Sequence, residues 1–232
     1  MSRVEYAKAL AGWLLVVPAV RRNCDWFGEV ENTFPATSHA LRLTIDDGPD
    51  PLQTPQILDT LGQAGIPATF FVIGRKVEAH PELCRRMASE GHSIQNHTYS
   101  HPTGTFWAAN YRRATREIAR CSQAIEEVTG RAPTQFRAPV GMANPFVHLA
   151  ARDLGLKLLG WSSSGHDGIT HKPAEVIARI RRTVRPGSII LLHENSLARM
   201  PPGERACTLS ALLNTLRDDF YHFPAGQHTP PA

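Results

Sequence analysis

The sequence predicts an α/β domain, a barrel of parallel strands wrapped by helices, on three observations. From residue 40 onward short apolar runs alternate with stretches of helical periodicity, the signature of repeated βα units. The chain has 232 residues, 42% hydrophobic and 20% charged, enough for one sizeable core and within the size of a single barrel. Its unusual polar residues follow the apolar runs, where strand ends and loops converge over one mouth of such a barrel.

Residues 1–38 are an N-terminal apolar segment and connector, and residues 39–232 form the main domain. The apolar run 9–20 lies behind Arg3 and Lys8, the layout of a signal peptide. It is too short to span a bilayer, contains Pro18, and is followed by Arg21 and Arg22 where a small-residue cleavage site belongs. A membrane-lying or core-packed helix fits it equally, and a cell-envelope or membrane-associated location is favoured over a free cytoplasmic one. Residues 23–38 read as a polar connector containing Pro35.

Strands are expected at 40–45, 68–73, 92–95, 135–137, 156–161 and 188–192, with a weak seventh at 220–223. Between the first two, Thr54 caps a helix with Pro55 in its first turn and Ile57, Leu58 and Leu61 on one face, ending near Gly65. Pro81 and Gly91 bracket the next. Tyr111, Ala114, Ile118, Cys121, Ile125 and Val128 mark an amphipathic helix, so Cys121 is a core residue. Its other face carries Arg112, Arg113, Arg116 and Arg120, read as solvated, with attraction to an anionic glycan or lipid surface as the alternative. Val176, Ile177, Ile180 and Val184 mark another helix, and Leu209, Leu212, Leu213 and Leu216 the last.

Composition excludes several classes. Cys24, Cys84, Cys121 and Cys207 are too few and too scattered for a disulfide scaffold or a cysteine zinc site, though one disulfide remains open. A net charge of +4 without a phosphate loop, a dinucleotide fingerprint or a basic-aromatic stripe argues against nucleic acid.

The chemistry-bearing residues cluster by position. Asp46 and Asp47 follow the first strand, His97 and His101 the third, Arg137 ends the fourth, Asp167 lies beyond the fifth, and His193 ends the sixth. Successive residues at a strand end point differently, so one aspartate can face a metal ion while the other faces its water. His97 and His101 are four apart, which on a helical turn aligns both imidazoles on one face. Two histidines and one aspartate leave coordination positions open for water and substrate, as catalytic zinc requires. The same donors also describe the facial triad of iron oxygenases, so donor type alone does not fix the metal. A hydrolytic site needs a base and an acid, and Asp46 and His193 are placed to supply them.

These residues carry a resemblance. Thr44-Ile45-Asp46-Asp47-Gly48-Pro49, His97-Thr98-Tyr99-Ser100-His101, Phe136-Arg137-Ala138-Pro139-Val140-Gly141 and Leu191-Leu192-His193 resemble, in order, four motifs of the polysaccharide deacetylases of carbohydrate esterase family four, the nodulation-type chitooligosaccharide deacetylase domain. The resemblance covers about residues 40–223. It implies a distorted (β/α)7 barrel and metal-dependent removal of an N-acetyl group from an amino sugar. It further implies that Asp47, His97 and His101 bind a divalent metal, Zn2+ by expectation, that Asp46 is the base, that Arg137 holds it, and that His193 is the acid. The oxyanion donor of the family is the backbone N–H after the third-motif proline; Pro139 and Val140 occupy those positions here.

The fourth motif departs from the pattern. Ser164-Gly165-His166-Asp167-Gly168 keeps one aspartate, which can orient His193, and has glycine where the family often has tryptophan. The apolar wall of the acyl pocket is then absent or supplied by Trp161 or Leu191, and a wider pocket or an atypical N-acyl sugar is expected. His148, His166 and His171 are read as ordinary polar positions. Tyr99, Phe106, Trp107 and Trp161 are the candidates for stacking on sugar rings, against plain packing. An amidase acting on a non-sugar substrate and a catalytically silent glycan binder are the competing functions.

Overall fold

The computed structural model describes residues 16–36, 38–170, 172–194 and 203–224; most of the 9–20 run and His171 therefore lie outside the described residues. The strands are β1 (Arg42–Gly48), β2 (Thr69–Val72), β3 (Ser93–Asn96), β4 (Gln135–Phe136), β5 (Lys157–Leu158), β6 (Ser163–Ser164) and β7 (Ile189–His193). They form one sheet in the order β5-β4-β3-β2-β1-β7-β6, every neighbouring pair parallel. Around it lie α1 (Thr54–Ala64), α2 (Gly74–Ala79), α3 (Pro81–Ser89), α4 (Tyr111–Thr129), α5 (Pro145–Asp153), α6 (Pro173–Thr183) and α7 (Glu204–Asp218). The sheet curls into an open (β/α)7 barrel, as expected.

Parity along the central strands explains why the sheet has one greasy and one reactive face. Leu43 and Ile45 of β1, Phe70 and Val72 of β2, Ile94 of β3 and Ile190 and Leu192 of β7 join one buried cluster with Leu58, Leu61, Met87, Ile125 and Leu212 of the helices. The alternate residues pair across the other face: Thr44 with Thr69 and Leu191, Asp46 with Phe71 and His193. Parallel strands buried on both sides carry few polar residues, so the polar row Thr44, Asp46 and His193 marks the working face.

The seven strands are not the seven expected from sequence. Residues 220–223 form no strand: His222 makes an isolated bridge to Ala40, and Phe220 is 83% exposed. The seventh strand is β6, whose two serines carry no apolar signal. The first strand continues to Gly48, so Asp46 and Asp47 belong to β1 rather than following it. The expected strand at 156–161 shortens to Lys157–Leu158, matching the two residues of β4, Gln135 and Phe136, with which it pairs. α2 and α5 are additional helices. α5 carries a recognisable start, the Asn144 side chain accepting from the Val147 N–H at 3.0 Å with Pro145 in the first turn.

The segment 23–34 runs along the open side of the barrel. The Glu31 N–H donates to Leu158 O (2.9 Å) and Gly160 N–H to Glu31 O (2.9 Å), extending the sheet beyond β5. Thr33 bridges Ser188 at the start of β7, and Phe34 N–H donates to Gly187 O at 3.0 Å. The stretch thus spans from one side of the seam to the other. All four cysteines are free, with Cys121 fully buried as expected. Among the described residues no helix is long and apolar enough to cross a membrane.

Candidate active site

Adjacent residues of a strand face opposite ways, yet both Asp46 and Asp47 reach the same imidazole: Asp46 Oδ2 and Asp47 Oδ1 each lie 3.6 Å from His97 Nε2. A bulge makes this possible. The β1–β2 register slips between Asp46 and Gly48, and Asp47 sits at φ 75°, a left-handed conformation that re-aims its side chain. Lys76 Nζ donates to Asp47 O at 2.6 Å and pins the bulge. Thr98 (φ 66°), His101 (φ 53°) and Val140 (φ 59°) are also left-handed non-glycine residues, and such strain gathers at functional sites.

Asp46 is held from behind. Arg137 Nη1 donates to Asp46 Oδ1 (2.6 Å) and to Thr44 Oγ1 (2.8 Å), Nε to Leu159 O (3.2 Å) and Nη2 to Gly160 O (2.7 Å). The guanidinium is 1% exposed and lies 4.2 Å from the centre of the Phe71 ring. A buried charge is tolerated when so fully paired. Burial pushes the Asp46 carboxyl above the ordinary aspartate range, with Arg137 and His193 pulling against it. The outcome is a fixed carboxylate with enhanced affinity for a proton.

His97 and His101 do converge, by a route other than the helical turn expected: both lie in the loop after β3. His97 Nδ1 contacts Arg137 O at 2.7 Å, which makes Nδ1 the protonated nitrogen and leaves the Nε2 lone pair facing the mouth. His101 Nε2 is 3.3 Å from Asp47 Oδ1, and its Nδ1 lies 3.1 Å from Thr103 Oγ1. Burial, reinforced by His101, holds the His97 pKa down to about 3, and burial lowers that of His101, so both rings are neutral. Ligand atoms of Asp47, His97 and His101 all lie within 4.8 Å of one another, and Asp47 Oδ1 is buried without a hydrogen-bond partner. Lone pairs converging on an orphaned carboxylate oxygen suit a cation. The three residues therefore fit the divalent metal that the motifs imply.

On the other side of the mouth stands His193. Asp167 grips it twice, Oδ2 accepting from the His193 backbone N–H at 2.7 Å and Oδ1 facing Nδ1 at 3.0 Å. Burial alone would lower the imidazole pKa. Asp167, with help from Asp47 and Asp46, outweighs it and raises the value to about 9. Arg205, itself buried on α7, donates to His193 O at 3.0 Å and lies 3.6 Å from Asp167 Oδ2.

The remaining expected residues divide. Pro139 and Val140 form a tight turn, with Val140 left-handed, beside Trp161, whose ring abuts Gly141 and lies 5.7 Å from the Arg137 guanidinium carbon. Leu191 is 3% exposed on β7, in register with Thr44. Gly168 faces the His193 ring, where a Cβ would lie 3.4 Å from Cε1. Phe106 is a core residue, and Arg120 covers the Tyr99 face at 3.6 Å. Trp107 and Trp161 keep partial exposure. His148 is buried against Phe27, and His166 is exposed beside Arg179.

Glu194, Arg205 and Lys76 were not anticipated. Glu194 is fully buried, accepts from the Asp50 N–H at 3.1 Å and from the Thr54 hydroxyl, and burial raises its pKa to about 7. A Cβ at Gly48 would collide with its carboxylate, so glycine is required there for close approach. The sequence signal was an acid directly following an apolar strand.

Known proteins place this geometry in context. The polysaccharide deacetylase family model matches residues 35–159. A chitooligosaccharide deacetylase of Bradyrhizobium sp. (strain ANU 289) is 38% identical over 212 residues, 90% of this chain and 90% of that protein. A peptidoglycan-N-acetylglucosamine deacetylase of Listeria monocytogenes is 31% identical over 187 residues, covering 81% of this chain but 38% of that protein. The solved structure of a carbohydrate esterase family four pseudoenzyme from Bacillus anthracis aligns with a TM-score of 0.74 at 22% identity, over 83% of this chain and 65% of that one, a likeness of fold.

Proposed function

The chain belongs to the polysaccharide deacetylase family, and from that membership and its site we propose that it is a metal-dependent hydrolase removing an N-acyl group, acetyl in the first instance, from N-acetylglucosamine units of a glycan, oligosaccharide or lipid-linked sugar. The relatives named as chitooligosaccharide and peptidoglycan-N-acetylglucosamine deacetylases support that substrate class. The observation that carries the reading is the presence of two proton-transfer groups, each held by its own partner, Asp46 by Arg137 and His193 by Asp167, at a mouth that also holds Asp47, His97 and His101.

Asp47, His97 and His101 would hold a divalent metal, with Zn2+ the ion the family motifs lead us to expect. When bound, it supplies a Lewis acid that polarises an amide carbonyl and acidifies a water molecule. Asp46, fixed by Arg137, takes the proton from the attacking water. The Val140 backbone N–H donates to the developing oxyanion. His193, kept protonated by Asp167, gives its proton to the departing sugar nitrogen, without which the amine is a poor leaving group. Trp161 and Leu191 wall the acyl side, and Gly168 leaves room beside the acid.

The test is acyl release by zinc-loaded and chelated protein over chitooligosaccharides, peptidoglycan fragments, N-acetylglucosamine polymers and non-sugar amides. Chelator-sensitive acetate release from the sugars, abolished in Asp46→Ala, is the expected result. Metal binding without release from any member would favour a silent glycan binder, and release from the non-sugar amides alone an amidase.

A further inference from the structure

We propose that the segment 23–34 is part of the catalytic apparatus, with Asn23 a positioning residue whose backbone N–H holds the Pro139–Gly141 turn and whose side chain holds Trp161 O, next in sequence to the carbonyls behind Arg137. The inference rests on the proposed function for its catalytic meaning and on hydrogen bonds for its structural one.

Asn23 binds the turn directly. Its backbone N–H donates to Gly141 O at 2.8 Å, and its side-chain Nδ2 donates to Trp161 O at 2.9 Å. Gly141 and Gly160 both present bare Cα atoms to this side chain: a Cβ on Gly141 would lie 2.9 Å from Asn23 Oδ1 and 2.7 Å from the Trp161 ring, and one on Gly160 would lie 2.8 Å from Asn23 Oδ1. Asn32 Nδ2 in turn donates to Asn23 O at 3.2 Å. Val140, whose N–H is the proposed oxyanion donor, sits at φ 59° immediately before Gly141, so a turn in an unfavourable conformation is clamped at its next residue.

A second chain of contacts runs from the same segment to the base. Glu31 O accepts from the Gly160 N–H and Glu31 N–H binds Leu158 O, which fixes the peptide carrying Leu159 O directly and leaves Gly160 O on the peptide that follows it. Those two carbonyls accept from Arg137, and Arg137 holds Asp46. The segment therefore stands one hydrogen bond from the oxyanion turn and three from the base.

Asn23 is also poorly explained as a stabilising residue. It occupies φ 53°, and its Oδ1 is buried with no donor, two features that cost stability. The domain boundary follows: the catalytic unit begins near residue 23 rather than at 39.

Two substitutions separate positioning from folding. Asn23→Gly keeps the left-handed backbone and removes the amide; Asn23→Asp keeps the shape and removes the Nδ2 donor. In the zinc-loaded full chain, both are expected to lower kcat at least tenfold, with KM and zinc affinity within twofold of wild type. Amide hydrogen exchange over residues 160–163, the peptides around the Trp161 carbonyl that loses its donor, is expected to accelerate at least tenfold. Unchanged kcat together with unchanged exchange in two folded variants would overturn the inference. Should the wild type release no acyl group from any sugar, the proposed function fails by itself, and exchange alone then decides: acceleration supports the clamp, and unchanged rates reject it.

Discussion

Asp46 of β1 and His193 of β7 are register partners on neighbouring parallel strands, side by side on one face of the sheet. Two side chains of opposite protonation behaviour are thereby fixed by backbone hydrogen bonds rather than by flexible loops. Such a pair can take and give protons at one bond without rearrangement, provided each keeps its partner, Arg137 or Asp167.

The acid arm sets the alkaline limit of activity. Asp167 lifts the His193 pKa to about 9, and an acid must be protonated to act, so the rate should fall as pH rises through that value. In Asp167→Asn, burial acts against weaker opposition and lowers the pKa. The alkaline limb should move down in pH, with a loss of about two orders of magnitude at pH 8. A pH–rate profile measures both, and an unmoved limb would remove Asp167 from the acid arm.

Removing Arg137 should cost stability as well as activity. Arg137→Met leaves Asp46, Thr44 Oγ1 and two carbonyls without their donor in a dry interior. A loss of about 3–5 kcal/mol is expected from breaking a buried pair on one side. Urea denaturation measures it. Asp46→Asn, which keeps an acceptor toward Arg137, should cost less while abolishing turnover.

Metal binding is expected to depend on the orphaned oxygen of Asp47. The wild type should bind zinc with one strong site per chain, and Asp47→Ala and His101→Ala should each weaken it by more than about 100-fold, beyond the usual effect of changing an outer partner. Competition with a fluorescent chelator gives the affinities. Thr103→Val, which removes the hydroxyl facing His101 Nδ1, should fall in the milder range of about 10–100-fold.

Glu194 should make stability fall with rising pH. Burial raises its pKa from 4.5 to about 7, so the folded state holds a proton that the unfolded chain releases earlier. Stability is then greatest below 4.5 and declines up to about 7, by about 3 kcal/mol in total. Chemical denaturation at pH 5 and pH 8 should show this decline in the wild type and a flatter response in Glu194→Gln.

Gly168 should broaden acyl tolerance. With only a Cα facing the His193 ring, N-propionyl and N-butyryl sugars are expected to be cleaved within about tenfold of the N-acetyl rate, and Gly168→Trp should restrict cleavage to acetyl. Strict acetyl preference in the wild type would show that another wall closes the pocket.

The residues legible in the sequence were those placed by local rules. Helical periodicity located α1, α4, α6 and α7, and the strand-end rule located Asp46, His97, Arg137 and His193. Departures came where backbone geometry overrode period. No pattern announces that Asp47 will turn left-handed and bring two adjacent carboxylates to one imidazole. The histidines were paired correctly for an incorrect reason, since a loop rather than a helix gathers them. Ser163 and Ser164 conceal a strand that owes its existence to β7 alone. Glu194 and Arg205 acquire meaning only through partners more than ten residues away, such as Thr54 and Asp167, which one-dimensional reading does not reveal.

The seam-crossing segment also orders events in time. It leaves the ribosome before its acceptors on the barrel exist, for Gly141, Leu158 and Gly187 follow more than 100 residues later. Contacts of such long sequence separation form slowly and after local ones. Residues 23–34 must therefore wait for these long-range partners until β1 to β5 and the turn into β7 have been made, and only then can the contacts behind Arg137 be completed. A half-synthesised barrel therefore carries Asp46 and Arg137 without the docked segment that fixes the peptide behind them.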